Sequence, residues 1–262
     1  MARFGVVSRE SHGNKHWCRP RNYGFVGAQA LAPIVAAELG AAALSMPLAF
    51  LEEGGRFTIV AVLSVVSGQN MFVAPDGRWL GSYVPAGFRV YPFRMLRQQG
   101  TDKLVLCADE ESGLIVDAGP VGEKFFDDAG GISPALKPIF DLLIEVERSH
   151  WATNLAVAAL AEAGVIRPWD IKVKSEQGQQ AIRGLHRIDE GALRGLPNDV
   201  FLKLRDASAL PVAYTQLLSG GQLRIFGHLA GLRQQLAPPP MPTMPESLDN
   251  LFERPGDTLR FD

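Results

Sequence analysis

Cysteine is scarce. The 262 residues hold two, Cys18 and Cys107. Neither belongs to a Cys-x-x-Cys pair, so there is no disulfide framework and no thiolate metal set. Packed or free thiols are expected, in a reducing compartment. Charge of one sign is also missing. The formal net charge is -2, which lacks the basic surplus of a nucleic-acid binder. Of the five histidines, His12, His16, His150, His186 and His228, His12 and His16 stand four apart, but they fall in or beside an apparently unstructured leader, so no pair makes a helical metal site. The pairs Asp109-Glu110-Glu111 and Asp127-Asp128 do not match a calcium loop. No metal and no cofactor are therefore expected. G-x-S-x-G, a phosphate-binding loop and a dinucleotide fingerprint are absent. Serine catalysis stays open, because triad partners converge in space rather than in sequence.

Long uninterrupted apolar runs are lacking as well. The alanine-rich stretch 26–51 follows several basic residues and imitates a signal anchor. Pro33, Glu38 and Pro47 interrupt it, and a mid-bilayer carboxylate costs about 3 kcal/mol. The next run, 57–66, is only as long as a strand. No membrane span is expected, and a cytoplasmic location follows.

What is present is ordinary globular composition, 47% hydrophobic and 21% charged. Residues 1–15 show no periodicity and are expected to be a flexible leader. Pro33 suits a first helical turn, Ile34, Val35, Leu39, Ala42 and Ala43 give a helical apolar face with Glu38 opposite, and Pro47 ends that helix. Residues 57–66 (FTIVAVLSVV) suit a strand covered on both faces. Pro75-Asp76-Gly77 suits a tight turn between strands at 71–74 and 78–84. A further strand is expected at 103–108, with 114–117 beside it. Two antiparallel helices are expected over 134–163, with Gly164 after the second. Short strands at 171–173 and 184–188 precede an Asp189-capped turn and a helix over 199–205. Paired Gly220 and Gly221 divide a helical stretch, 210–232, in two.

From Ala237 the proline-rich sequence suits an extended linker with a tail ending in spaced apolar residues. The expected organisation is a leader (1–15), one α+β domain (16–235) with a central, mainly antiparallel sheet, a helical hairpin and further C-terminal helices, and a tail (236–262). The tail either docks on its own domain or on a sister subunit, or stays disordered.

The densest chemistry lies at 67–96. Trp79, Tyr83, Phe88, Tyr91 and Phe93 are interleaved with Arg78, Arg89 and Arg94. Aromatic faces beside guanidinium forks suit sugars, peptides, carboxylates or single strands. The competing explanation is that the aromatics are core and the arginines pair with Asp109, Glu110 or Glu111.

The chain resembles the SapC family here. The resemblance rests on Gly68-Gln69-Asn70-Met71-Phe72-Val73, on Trp79, and on Tyr83-Val84-Pro85-Ala86-Gly87-Phe88-Arg89-Val90-Tyr91-Pro92-Phe93. The early Pro33, Glu38 and Pro47 pattern, Cys107 to Ser112, and blocks at 185–193 and 196–204 agree, so that it spans about 16–233. The family often carries paired arginines before Tyr-Pro-Phe. Val90 stands after Arg89 here, so the anion clamp reduces to Arg89 helped by Arg78 or Arg94.

The resemblance implies a bacterial accessory or binding role near the secretion apparatus of a surface-layer protein, and brings no catalytic residues. Three readings stay open. The first is a non-enzymatic protein whose protein or peptide partner meets the surface of 79–93, with Trp79, Tyr83, Arg89, Tyr91, Arg94, Asp109 and Glu110 as candidate binding residues. The second, less favoured, is an enzyme on a peptide or small anion using Arg89, Asp109 and Glu110. The third is a homodimer joined through the tail.

Overall fold

A computed structural model describes residues 3–98, 100–101, 103–175, 178–182 and 184–236. The chain is α+β, and its sheets are antiparallel. The first three-stranded sheet has β1 (Phe4–Val6) beside β7 (Leu104–Asp109), which pairs with β6 (Phe93–Arg97). A second places β2 (Lys15–Trp17) between β8 (Ile115–Asp117) and β9 (Glu123–Lys124). The largest sheet runs in the order β10 (Ile166–Pro168), β13 (Leu185–Ile188), β4 (Leu48–Glu53), β5 (Arg56–Val62), β3 (Leu31–Pro33). β11 (Ile171–Ser175) and β12 (Gly178–Ile182) form a separate hairpin.

Over residues 3–15 the expected flexible leader is replaced by regular structure. Residues 3–15 carry β1, the short helix α1 (Arg9–His12) and the start of β2. Each strand is only 3 residues long, too short for a pattern to show in sequence. Their order comes from distant partners: Gly5 opposite Ala108, and His16 opposite Val116 and Lys124. Residues 115–117 accordingly pair with β2 rather than with β7.

The early helix shrinks to a 3-10 turn, Ala36–Glu38, and α2 (Leu39–Ala43). Beyond the helix's expected end at Pro47, Leu48 to Leu51 form strand, which completes the sheet against β5. The helix pair expected at 134–163 is one helix, α4 (Lys137–Glu162), of 26 residues. No glycine or proline interrupts it after Pro138, which lies in the first turn where its missing N–H does no harm. Its buried positions share one face: Ile139 and Leu143 are four apart, and Thr153, Ala156, Val157 and Leu160 recur at three and four. At about 1.5 Å per residue it is about 39 Å long, enough to span two cores.

Those two cores are distinct. One joins the five-stranded sheet, the C-terminal half of α4, α7 (Ala209–Ser219) and α8 (Ile225–Leu236). The other gathers Trp17, Val90, Phe93, Met95, Phe125 and Leu136 under Ile139 and Leu143. Between β13 and α7 run α5 (Glu190–Arg194) and α6 (Asn198–Asp206). Asp189 caps α5, its carboxylate accepting from the Ala192 N–H at 3.0 Å. Gly164 ends α4 with a positive φ of 66°. The Gly220-Gly221 break stands, as a 3-10 turn between α7 and α8.

Polar side chains stitch α7 to the sheet. Gln216 donates to the Leu48 carbonyl at 3.1 Å and accepts from the Ile188 N–H at 2.8 Å. Ser219 accepts from the Leu48 N–H at 3.0 Å. Buried amides need such partners, so α7 is fixed in position as well as packed. The tail from 237 onward lies outside the described residues.

Candidate functional site

The stretch 67–92 crosses from one core to the other. Its expected hairpin is reduced to a single bridge, Val73 to Trp79, flanked by turns and irregular chain. The side chains find stronger partners off the hairpin. Asn70 is fully buried. It accepts from the Phe72 N–H at 3.0 Å and donates to the Val26 carbonyl at 3.2 Å. Arg233 of α8 donates to its carbonyl at 3.2 Å. Asn70 is thus a pin for three segments. Gly77 has φ 87°, and a Cβ there would lie 2.6 Å from Asn22, so the turn requires glycine.

Trp79 is walled by rings. It stacks on Phe72 at 5.3 Å and meets Tyr23 and Phe88 edge-on at 5.5 and 6.0 Å. Its Nε1 donates to the Tyr83 carbonyl at 2.8 Å. Gly81 allows the close fold-back: an added Cβ would meet Phe72 at 2.8 Å.

Glu38 lies at the centre of this half. Expected opposite the apolar face of a helix, it is 6% exposed. One oxygen accepts from the Tyr83 hydroxyl at 2.8 Å and the Ala86 N–H at 2.6 Å. The other accepts from the Val35 N–H at 3.2 Å. A buried carboxylate is tolerated when donors surround it, and three do. Ala86 begins α3 (Ala86–Arg89), so Glu38 holds that turn from outside. Burial, then the hydrogen bond to Glu38, pushes the Tyr83 phenol up to about 12. Arg89 lies over the Tyr83 ring at 5.6 Å and reaches its hydroxyl at 3.4 Å.

The second half is separate. Tyr91 stacks flat on Phe25 with centroids 4.1 Å apart. Its hydroxyl donates to Asp109 at 3.1 Å, and burial with that bond pushes the phenol up to about 12. The other Asp109 oxygen accepts from the Glu111 N–H at 3.2 Å. The Tyr91-Phe25 pair forms one wall of a cleft of about 180 Å³, with Pro20, Arg21, Asn22, Ser112 and Leu114. Neither the wall from 20–25 nor the one from 112–114 was legible as a site, since nothing local brings them to Tyr91. The one local signal was the pair of aromatics Tyr23 and Phe25.

Glu110 turns elsewhere. Its oxygens lie 2.9 Å from His12 Nε2 and 3.5 Å from Lys15 Nζ. Arg94 lies over the Phe4 ring at 4.5 Å. The predicted set therefore divides: Trp79, Tyr83 and Arg89 around Glu38, Tyr91 with Asp109, Glu110 with the N-terminal segment, and Arg94 on Phe4. Arg89, Asp109 and Glu110 line neither this cleft nor the larger one at Arg167. Nor do the arginines pair as expected for a pure core: Arg78 binds Asp76 at 2.6 Å.

His12 is 1% exposed, and its Nδ1 accepts from the Ser8 N–H at 3.4 Å. Burial lowers its pKa from the ordinary 6.5, with Glu110 opposing and Lys15 adding to the effect. Below pH 6.5 the unfolded chain takes up the proton first. Stability from this group is therefore full above 6.5 and falls as pH drops toward the lowered native value. Melting temperatures between pH 8 and 5 are expected to decline over that window, and less steeply in His12→Gln. Equal slopes would remove His12 as the cause.

Among the described residues, no group of three or more His, Cys, Asp or Glu could hold a metal ion, and no helix is long and apolar enough to cross a membrane. The SapC family model matches residues 7–225. No curated protein and no solved structure matches the chain.

Proposed function

The chain belongs to the SapC family, and from that premise we propose that it is a non-enzymatic accessory protein whose cleft beside Tyr91 receives a peptide segment of a secreted or surface protein, in the cytoplasm before export. The observation that carries this is the unequal use of the signature. Trp79, Tyr83 and Glu38 spend their polar groups on each other and on the backbone. The Tyr91-Phe25 pair instead walls an open cleft with an exposed arginine, Arg21. Stacked aromatic surface beside a guanidinium suits a peptide: the rings take apolar side chains and the fork takes a carboxylate or carbonyl oxygens.

The enzyme reading has less support. Asp109 and Glu110 are held by Tyr91, a backbone amide, His12 and Lys15, while Arg89 is held by Tyr83. Acid–base groups must reach one reacting centre, and these three line neither of the two clefts.

The test is capture of the protein products of the neighbouring genes by purified wild-type chain and by Arg21→Ala. A lost charge-assisted contact corresponds to about a tenfold drop in affinity. Among the described residues Arg21 makes no hydrogen bond or ion pair, so Arg21→Ala is expected to melt as wild type. Unchanged capture by Arg21→Ala would move the partner away from this cleft.

A further inference from the structure

A second cleft, of about 340 Å³, opens on the far edge of the five-stranded sheet. Its charged wall is made by Arg167 of β10 and Arg187 of β13, which are direct cross-strand partners. Facing residues in an antiparallel pair project from the same side of the sheet, with Cα atoms about 5.5 Å apart. Like charges directly opposite are unfavourable. The screening length in physiological salt, about 8 Å, does not remove repulsion at that range.

Among the described residues neither guanidinium has a carboxylate within ion-pair distance. Arg167 reaches only its neighbouring Ile166 carbonyl, at 3.4 Å. Two carboxylates line the same cleft but are engaged. Asp189 caps α5, and Glu190 binds Arg194 at 2.6 Å. Leu217, with the buried Ile188 beneath, adds apolar surface to the cleft lining.

We propose that this cleft is a binding site for a small organic oxyanion, a carboxylate or phosphate group gripped by Arg167 and Arg187 with a short apolar body against Leu217. An oxyanion between two forks relieves their repulsion and accepts paired hydrogen bonds from each. The nearby Asp189 and Glu190 restrict the ligand to one anionic group, because a second would face a carboxylate. The site is independent of the Tyr91 cleft and shares no lining residue with it.

The test is calorimetric titration of the full chain with inorganic phosphate and, separately, butyrate, each at matched ionic strength. Binding of either at millimolar concentration is expected, and which one binds identifies the oxyanion. Arg187→Gln and Arg167→Gln are expected to weaken it about tenfold each, the loss of one charge-assisted contact. Both side chains are exposed, so the fold survives. Arg148→Gln, the same charge change at an exposed position on α4, is expected to bind as wild type. The proposal is overturned if neither probe binds wild type, if Arg187→Gln binds equally well, or if Arg148→Gln weakens binding as much.

Discussion

Glu38→Ala is expected to lower stability by about 3 kcal/mol, since the Tyr83 hydroxyl and the Ala86 N–H each lose a buried acceptor at about 1–3 kcal/mol. For a domain of this size that is a fall in melting temperature of roughly 6–12 °C. The cause is geometric. One carboxylate ties the turn before α2 to the residue after Trp79's fold-back and to the first amide of α3. Glu38→Gln keeps one oxygen for the Tyr83 and Ala86 donors but turns an N–H toward the Val35 amide. Its loss should be about 1 kcal/mol. Thermal melts of the three proteins decide the matter. A melting temperature for Glu38→Ala within about 1 °C of wild type would show that the side chain is not holding the segment.

Trp79→Ala is expected to cost about 3 kcal/mol, the low end for removing a large aromatic because Trp79 is only partly buried. The cavity would lie among Tyr23, Phe72 and Phe88, whose rings now close on the indole. The bond from Nε1 to the Tyr83 carbonyl would go with it. Trp79→Phe retains the stack and most of the volume, at about 1 kcal/mol. Partner capture separates structure from recognition. Trp79→Phe should capture as wild type below its melting temperature, because the indole is spent on its own rings. A large loss of capture in a folded Trp79→Phe would return the indole to the binding face.

These two residues mark what the sequence could and could not disclose. The β-branched run at 57–66 announced β5 because strand propensity and burial agree there. Gly164, Asp189 and the Gly220-Gly221 break announced helix limits through local backbone chemistry. Glu38 did not announce itself. Its role depends on donors 45 and 48 positions away. The N-terminal strands were silent for the same reason, being paired with residues near 108 and 116. The hairpin expected at 71–84 does not extend into a ladder: the turn chemistry at Pro75-Asp76-Gly77 closes only the Val73–Trp79 bridge. The flanking side chains instead pack on Phe72 and on residues 23–27. Spacing could show that aromatics and arginines cluster at 79–93. It could not show that the first half is fastened to Glu38 while the second faces a cleft.

That division is tested most directly by placing a photoreactive amino acid at position 21 or at position 78 and crosslinking to the captured partner. Both side chains are exposed, one at the Tyr91 cleft and one beside Trp79. Crosslinks from 21 and none from 78 are expected. Crosslinks from 78 alone would contradict the account and place recognition on the half of the signature that Glu38 holds.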